Sequence, residues 1–136
     1  MNNTFQFTYR VRLDDLDYMG IVGNADWLIF LERARADLLA SIDYPMKRLM
    51  DEKIGGVVAD LKVKYIRPAR LDDTFTIVVS AKEPSDSSGT LEYVAQSADG
   101  KPYLKAETKM VFVDASGRPT NIPPGIRVAL FGTESP

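Results

Sequence analysis

The stretch Trp27-Leu28-Ile29-Phe30-Leu31-Glu32-Arg33-Ala34-Arg35-Ala36-Asp37-Leu38-Leu39-Ala40 holds ten apolar residues in fourteen positions. That is more than the one-sided stripe of a surface helix requires, and it predicts a helix enclosed by a sheet or by a second subunit. The charged residues Glu32, Arg33, Arg35 and Asp37 leave it only a narrow wet face. Just upstream, Asn24 offers a side-chain oxygen to the free N–H groups of a helix starting at about Ala25. A shorter helix is expected over residues 46–53, because Pro45 suits a helix start, with Gly55-Gly56 ending it.

The rest of the chain reads as strands. Phe5, Phe7, Tyr9, Val11 and Leu13 alternate with polar residues, the period-2 mark of a half-buried strand. Strands are also expected over 57–66, 74–82, 90–97 and 103–114. In the first three of these the odd positions are apolar, including Val57, Ala59, Leu61, Val63 and Tyr65; in the last the even ones are. Asp99-Gly100 signals a tight hairpin, and residues 84–89 a longer polar loop. The tail ends in a short apolar piece over 126–131. One helix against one face of an antiparallel sheet is an α+β arrangement, compatible with a hotdog fold.

At 136 residues the chain fits one domain, 1–136, with enough length to bury a core. Cysteine is absent, which removes disulfides, thiolate nucleophiles and cysteine metal sites. Histidine is absent too. Histidine-activated nucleophiles, histidine general bases and histidine metal ligands all go with it, so catalysis must run on carboxylates, Lys, Tyr, Ser/Thr or backbone dipoles. No metal or cofactor is expected. A net charge of -2 gives no global field for nucleic acid or anionic membrane. No apolar run approaches the roughly 20 residues of a spanning helix, and the N-terminus lacks the pattern of a secretory signal, so a cytoplasmic location is expected.

Residues 14–23 break the strand pattern with two glycines and three acids and read as a loop. A carboxylate there, just ahead of a helix, stands beside unpaired N–H groups and the positive end of the helix dipole. Such groups can polarise a carbonyl while Asp17 attacks it or activates water. Acids before helices also serve simply as caps, but Asn24 fills that position and Asp17 lies seven residues too early for it.

The run Asp17-Tyr18-Met19-Gly20-Ile21-Val22, followed by Trp27 and Glu32-Arg33-Ala34-Arg35, resembles the 4-hydroxybenzoyl-CoA thioesterase family and its relatives active on short acyl-CoAs. Tyr65-Ile66-Arg67-Pro68-Ala69-Arg70-Leu71-Asp72-Asp73 is similar to that family's Tyr-x-x-Pro-Ala-x-x-x-Asp strand ending. The resemblance spans roughly residues 5 to 115. It implies a hotdog fold, a five-stranded antiparallel sheet wrapped around one long central helix, and hydrolysis of an acyl-CoA to free acid and CoA. Asp17 then matches the catalytic Asp as nucleophile or general base, and the Asn24 backbone N–H matches the donor that holds the thioester oxygen. Trp27, Gly56 and Val58 are assigned to acyl binding, and Arg67, Arg70 and Lys82 to CoA.

Two departures from the family stand out. Many relatives active on short acyl-CoAs carry a histidine where this chain has Asn24, and Ser85-Asp86-Ser87-Ser88 places an acid where the benzoyl branch has a basic, phosphate-gripping hairpin. Several residues also have plainer readings: Trp27 as core, Glu32 with Arg33 and Arg35 as helix-face or subunit-contact pairs rather than a second acid, and Asp60 as a solvated strand residue. Arg67 and Arg70 read equally as phosphate contacts and as surface charge. The resemblance implies acyl sites between subunits of a homodimer or a dimer-of-dimers homotetramer. Hydratases of this fold need a histidine base that this chain lacks. A non-catalytic acyl-CoA or acyl-carrier-protein binding protein, a sensor or scaffold, remains the alternative.

Overall fold

Residues with period-2 alternation form β1 (Thr4–Arg10), β2 (Gly55–Tyr65), β3 (Thr74–Lys82), β4 (Ser88–Gln96) and β5 (Pro102–Val113). The computed structural model describes residues 3–132, and among these the strands form one antiparallel sheet in the order β1-β3-β4-β5-β2. Three α-helices accompany it: α1 (Asn24–Ser41), α2 (Met46–Glu52) and α3 (Pro124–Phe131). Along α1, Trp27, Phe30, Leu31, Ala34 and Leu38 recur at spacings of three and four and are buried. They share one core with Phe75, Ile77 and Val79 of β3, Tyr93 of β4 and Leu104 of β5. This is the α+β hotdog arrangement that the sequence predicts. No helix among the described residues is long and apolar enough to cross a membrane.

The centre of this core is aromatic. The Trp27 and Phe75 rings lie 5.0 Å apart, and Phe30 meets Phe75 edge-on at 4.9 Å. A polar chain threads the same layer: Arg35 Nη1 donates to the Tyr93 hydroxyl at 3.3 Å, and that hydroxyl shares a hydrogen bond with Thr108 Oγ1 at 2.7 Å. Burying Tyr93 and Thr108 is tolerable because each hydroxyl has a partner.

Several expectations need correction. The first strand ends at Arg10, and Leu13 is 77% exposed in a short 3-10 turn over Leu13–Asp15. Gly55-Gly56 does not end α2; Lys53 does, in the left-handed conformation, and the glycines open β2. Asn24 is the first residue of α1 rather than its cap. The cap is Gly23, whose carbonyl accepts the first helical hydrogen bond from the Trp27 N–H at 3.0 Å, with no side-chain cap bond.

The odd-position alternation expected along 57–66 holds from Leu61 onward and fails before it. Val58 pairs with Met110 and Asp60 with Lys109, so Ala59 is an extra residue in the ladder. A bulge of this kind reverses which side chains face inward. Before it, Gly56 and Val58 stand opposite Phe112 and Met110; after it, Leu61, Val63 and Tyr65 stand opposite Thr108, Ala106 and Leu104. The tail's apolar piece is helical, as α3, and the tip of its Phe131 ring points at Gly89, where a Cβ would come within 2.7 Å of Cζ.

Candidate active site

Asp17 is held by a loop pinned at both ends. Leu16 bridges Val22, Ile21 bridges Arg70, and the Val22 N–H donates to the Ala69 carbonyl at 2.9 Å. Within the loop the Asp17 N–H donates to the Ile21 carbonyl at 2.8 Å and Gly20 to the Asp17 carbonyl at 3.0 Å. Gly20 takes φ +76, a left-handed conformation that glycine adopts without a Cβ penalty. Tyr18 and Met19 form the exposed tip.

The Asp17 carboxylate is divided in its duties. The Met19 N–H donates to Oδ1 at 2.8 Å, a local turn that fixes the side chain. Oδ2 turns toward Gly23: a Cβ there would stand 3.9 Å from Asp17 Oδ2 and 2.9 Å from Asp26 Oδ2. The Asp17 and Asp26 side chains therefore flank Gly23, the cap residue of α1, with Asp17 Cβ 3.5 Å from the same point. The N–H groups of Asn24, Ala25 and Asp26 precede the first helical hydrogen bond and have no acceptor within the helix. The exposed Asp17 thus lies beside a helix N-terminus that favours negative charge. Tyr65, at the far end of β2, donates its hydroxyl to the Asn24 carbonyl at 3.3 Å and ties the sheet edge to this corner.

A cavity of about 710 Å³ lies between the sheet, α1, α2 and α3. Gly56 and Val58 line it, as does Glu32; Asp17, Asn24 and Trp27 do not. Trp27 is 3% exposed and packs against Phe30, Phe75 and Tyr103, so its place is in the core. Asp60 faces the outer side of the sheet opposite Lys109. Sequence reading missed Asp26, Tyr65 and the cavity-lining Met46, Met50, Met110 and Phe131. The acid in the first helical turn was the one signal pointing to Asp26.

The three candidate CoA cations are scattered. The Arg67 guanidinium stacks 3.7 Å from the Tyr103 ring centre and donates to Ser97 Oγ at 2.6 Å, the Lys101 carbonyl at 3.0 Å and the Pro102 carbonyl at 3.3 Å. It fastens the β4–β5 hairpin. Lys82 bonds Glu107 at 2.8 Å and pairs with Glu92 at 3.6 Å on the outer face; the Glu107 hydrogen bond is the main cause that raises its pKa. It is also eight residues, about 27 Å, along β3 from Thr74. Arg70 alone is exposed and directly bridged to the Asp17 loop. Among the described residues no group of three or more acidic side chains could hold a metal ion.

A family model described as the thioesterase-like superfamily matches residues 11–130. Acyl-CoA thioester hydrolase YbgC of Escherichia coli O6:H1 is 33% identical over 115 residues, covering 84% of this chain and 86% of that protein. Long-chain acyl-CoA thioesterase FadM of Escherichia coli K12 is 36% identical over 110 residues, covering 80% and 83%. Among solved structures, a hypothetical protein from Aquifex aeolicus superposes with a TM-score of 0.86 at 27% identity, over 93% of this chain and 98% of that one.

Proposed function

We propose, from the premise that this chain belongs to the thioesterase-like superfamily and is a thioester hydrolase, that it cleaves acyl-CoA with Asp17 as the reacting carboxylate. The observation that carries the reading is the place of the Asp17 side chain beside Gly23, the cap residue of α1, where a Cβ would stand 3.5 Å from Asp17 Cβ and 3.9 Å from its Oδ2. A thioester carbonyl placed there would aim its oxygen at the Asn24 N–H, where negative charge developing on it is stabilised. Asp17 either attacks the carbonyl carbon, giving an anhydride that water opens, or takes a proton from the attacking water. In both routes water is added across the C–S bond, and the acid and the CoA thiol leave. The motif's likeness to the 4-hydroxybenzoyl-CoA family supports the role of Asp17 rather than the identity of the acyl group.

The working unit in this reading is a homodimer or a dimer of dimers. Within one chain Asp17 does not line the cavity, and Gly56 stands nine residues along β2 from Tyr65, about 30 Å away. β2 is an edge strand with β5 on one side only, and Val57, Val58, Leu61 and Tyr65 are 41–49% exposed along it. A long edge of this kind calls for pairing or protection. Antiparallel pairing of β2 with its copy across a two-fold axis would bring the cavity mouth of one protomer beside Asp17 of the other. We assign the CoA phosphates to Arg70, the cation next to the Asp17 loop, in preference to Arg67 and Lys82.

Thiol release from a panel of acyl-CoAs tests the activity. Turnover of at least one member is expected. Tight binding of one ligand with no hydrolysis of any would overturn the enzyme reading and favour a sensor.

A further inference from the structure

We propose that the cavity takes a linear aliphatic acyl chain of medium to long length, on the order of 12 to 16 carbons, in preference to short or hydroxylated aromatic groups. The proposal rests on the thioester-hydrolase reading and adds the substrate class.

Three features of the cavity carry it. The first is its reach: the wall formed by α1 runs from Ile29 to Leu39, ten residues or about 15 Å along the helix axis. A bilayer core about 30 Å thick is two layers of acyl chains end to end, so about 15 Å suits one chain of ordinary length. A volume of about 710 Å³ lies within the usual range for small-molecule sites.

The second feature is the chemistry of the wall. Its charged or hydrogen-bonding side chains, among the described residues, are Glu32, Arg33 and Arg35, all on α1. Arg35 is already turned to the Tyr93 hydroxyl, and the Arg33 guanidinium lies 5.4 Å from the Phe30 ring centre. The sheet, α2 and α3 contribute aliphatic groups, glycine, methionine and phenylalanine. A ring hydroxyl pressed against the sheet, α2 or α3, away from Glu32, would lose its water without gaining a partner, a penalty of about tenfold or more in affinity. Each methylene buried there instead gains about fourfold.

The third feature is adaptability. Met46 and Met50 of α2 and Met110 of β5 stand around the cavity, and unbranched thioether side chains re-pack around a flexible occupant. Phe131 of α3 lines the cavity with its ring tip against the bare backbone of Gly89. At the front, Gly56 leaves room: a Cβ there would be 3.6 Å from Met110 Cε and 3.9 Å from Phe112 Cε1, ordinary contacts. A larger side chain at Gly56 would therefore enter the cavity without a backbone clash.

The experiment has two arms. In the first, kcat/KM of the full-length protein is measured for saturated acyl-CoAs from butyryl to hexadecanoyl and for 4-hydroxybenzoyl-CoA. A rise of at least tenfold from butyryl to dodecanoyl or beyond is expected, with 4-hydroxybenzoyl-CoA below the best aliphatic substrate. Gly56→Leu should cut the ratio of hexadecanoyl to butyryl turnover at least tenfold. Preference for butyryl or 4-hydroxybenzoyl-CoA, or an unchanged ratio in a folded Gly56→Leu protein, would overturn the proposal while leaving the hydrolase reading intact. In the second arm, displacement of a fluorescent fatty acid from the wild-type protein by hexadecanoic acid, but not by 4-hydroxybenzoic acid, reads the cavity without turnover. Displacement without hydrolysis of any thioester would keep the cavity's occupant and sink the enzyme; no binding of the fatty acid would overturn the proposal.

Discussion

Gly23 is where the loop carrying Asp17 hands over to α1, and its missing side chain lets the Asp17 and Asp26 carboxylates approach the helix N-terminus together. Its backbone, at φ -69 and ψ 159, is open to alanine. Gly23→Ala should therefore keep thermal stability close to wild type, while the new Cβ, 2.9 Å from Asp26 Oδ2, displaces that carboxylate. A fall in kcat/KM of about tenfold is expected, since small misplacements at a reacting centre are costly, and steady-state kinetics beside a melting curve check it. The loop that carries Asp17 was legible in the sequence, because two glycines and three acids break the strand pattern over residues 14–23 just ahead of α1. Asp26 was not, since its nearness to Asp17 depends on the path of the loop. Nor could sequence distinguish Arg70 from Arg67 and Lys82: three cations look alike until the hairpin carbonyls and the two glutamates that occupy the latter two are in view.

Among the elements, β3 was legible to the residue, because Phe75, Ile77, Val79 and Ala81 alternate without interruption and the strand lies inside the sheet. β2 was not. Ala59 carries no turn signature, so the bulge that turns Gly56 and Val58 inward became visible only through the pairing with Lys109 and Met110. The seam between β1 and α1 offers a stability test. The Tyr9 hydroxyl donates to Asp37 Oδ2, and burial, then this hydrogen bond, raise its pKa well above the usual 10.0. Tyr44, on Glu52, is raised for the same two reasons. A raised folded-state value means that the stabilisation is complete below about pH 10 and is lost as pH climbs toward the folded value. The wild type should accordingly lose denaturation midpoint above pH 10. Tyr9→Phe should be weaker by about 1 kcal/mol at neutral pH, with a shallower alkaline decline, in denaturant titrations across pH 7 to 11.

For the whole molecule, the exposed β2 edge and the distance from Gly56 to the Tyr65 corner point to a site built by two copies. Mixing two inactive proteins tests this. Asp17→Asn keeps a sound cavity, and Gly56→Trp keeps a sound carboxylate behind a blocked one. In a mixed dimer one site would then hold both intact parts, and an equal mixture refolded together should recover about a quarter of wild-type activity. No recovery would place cavity and carboxylate within one chain. The central claim concerns Asp17, and kcat of Asp17→Asn on the best acyl-CoA tests it most directly, because the amide keeps the size of the side chain and removes its charge and basicity. Positioned acid–base catalysis contributes about 10²- to 10⁴-fold, so kcat should fall at least that far with KM little changed. Turnover by Asp17→Asn within a few fold of wild type would contradict the account.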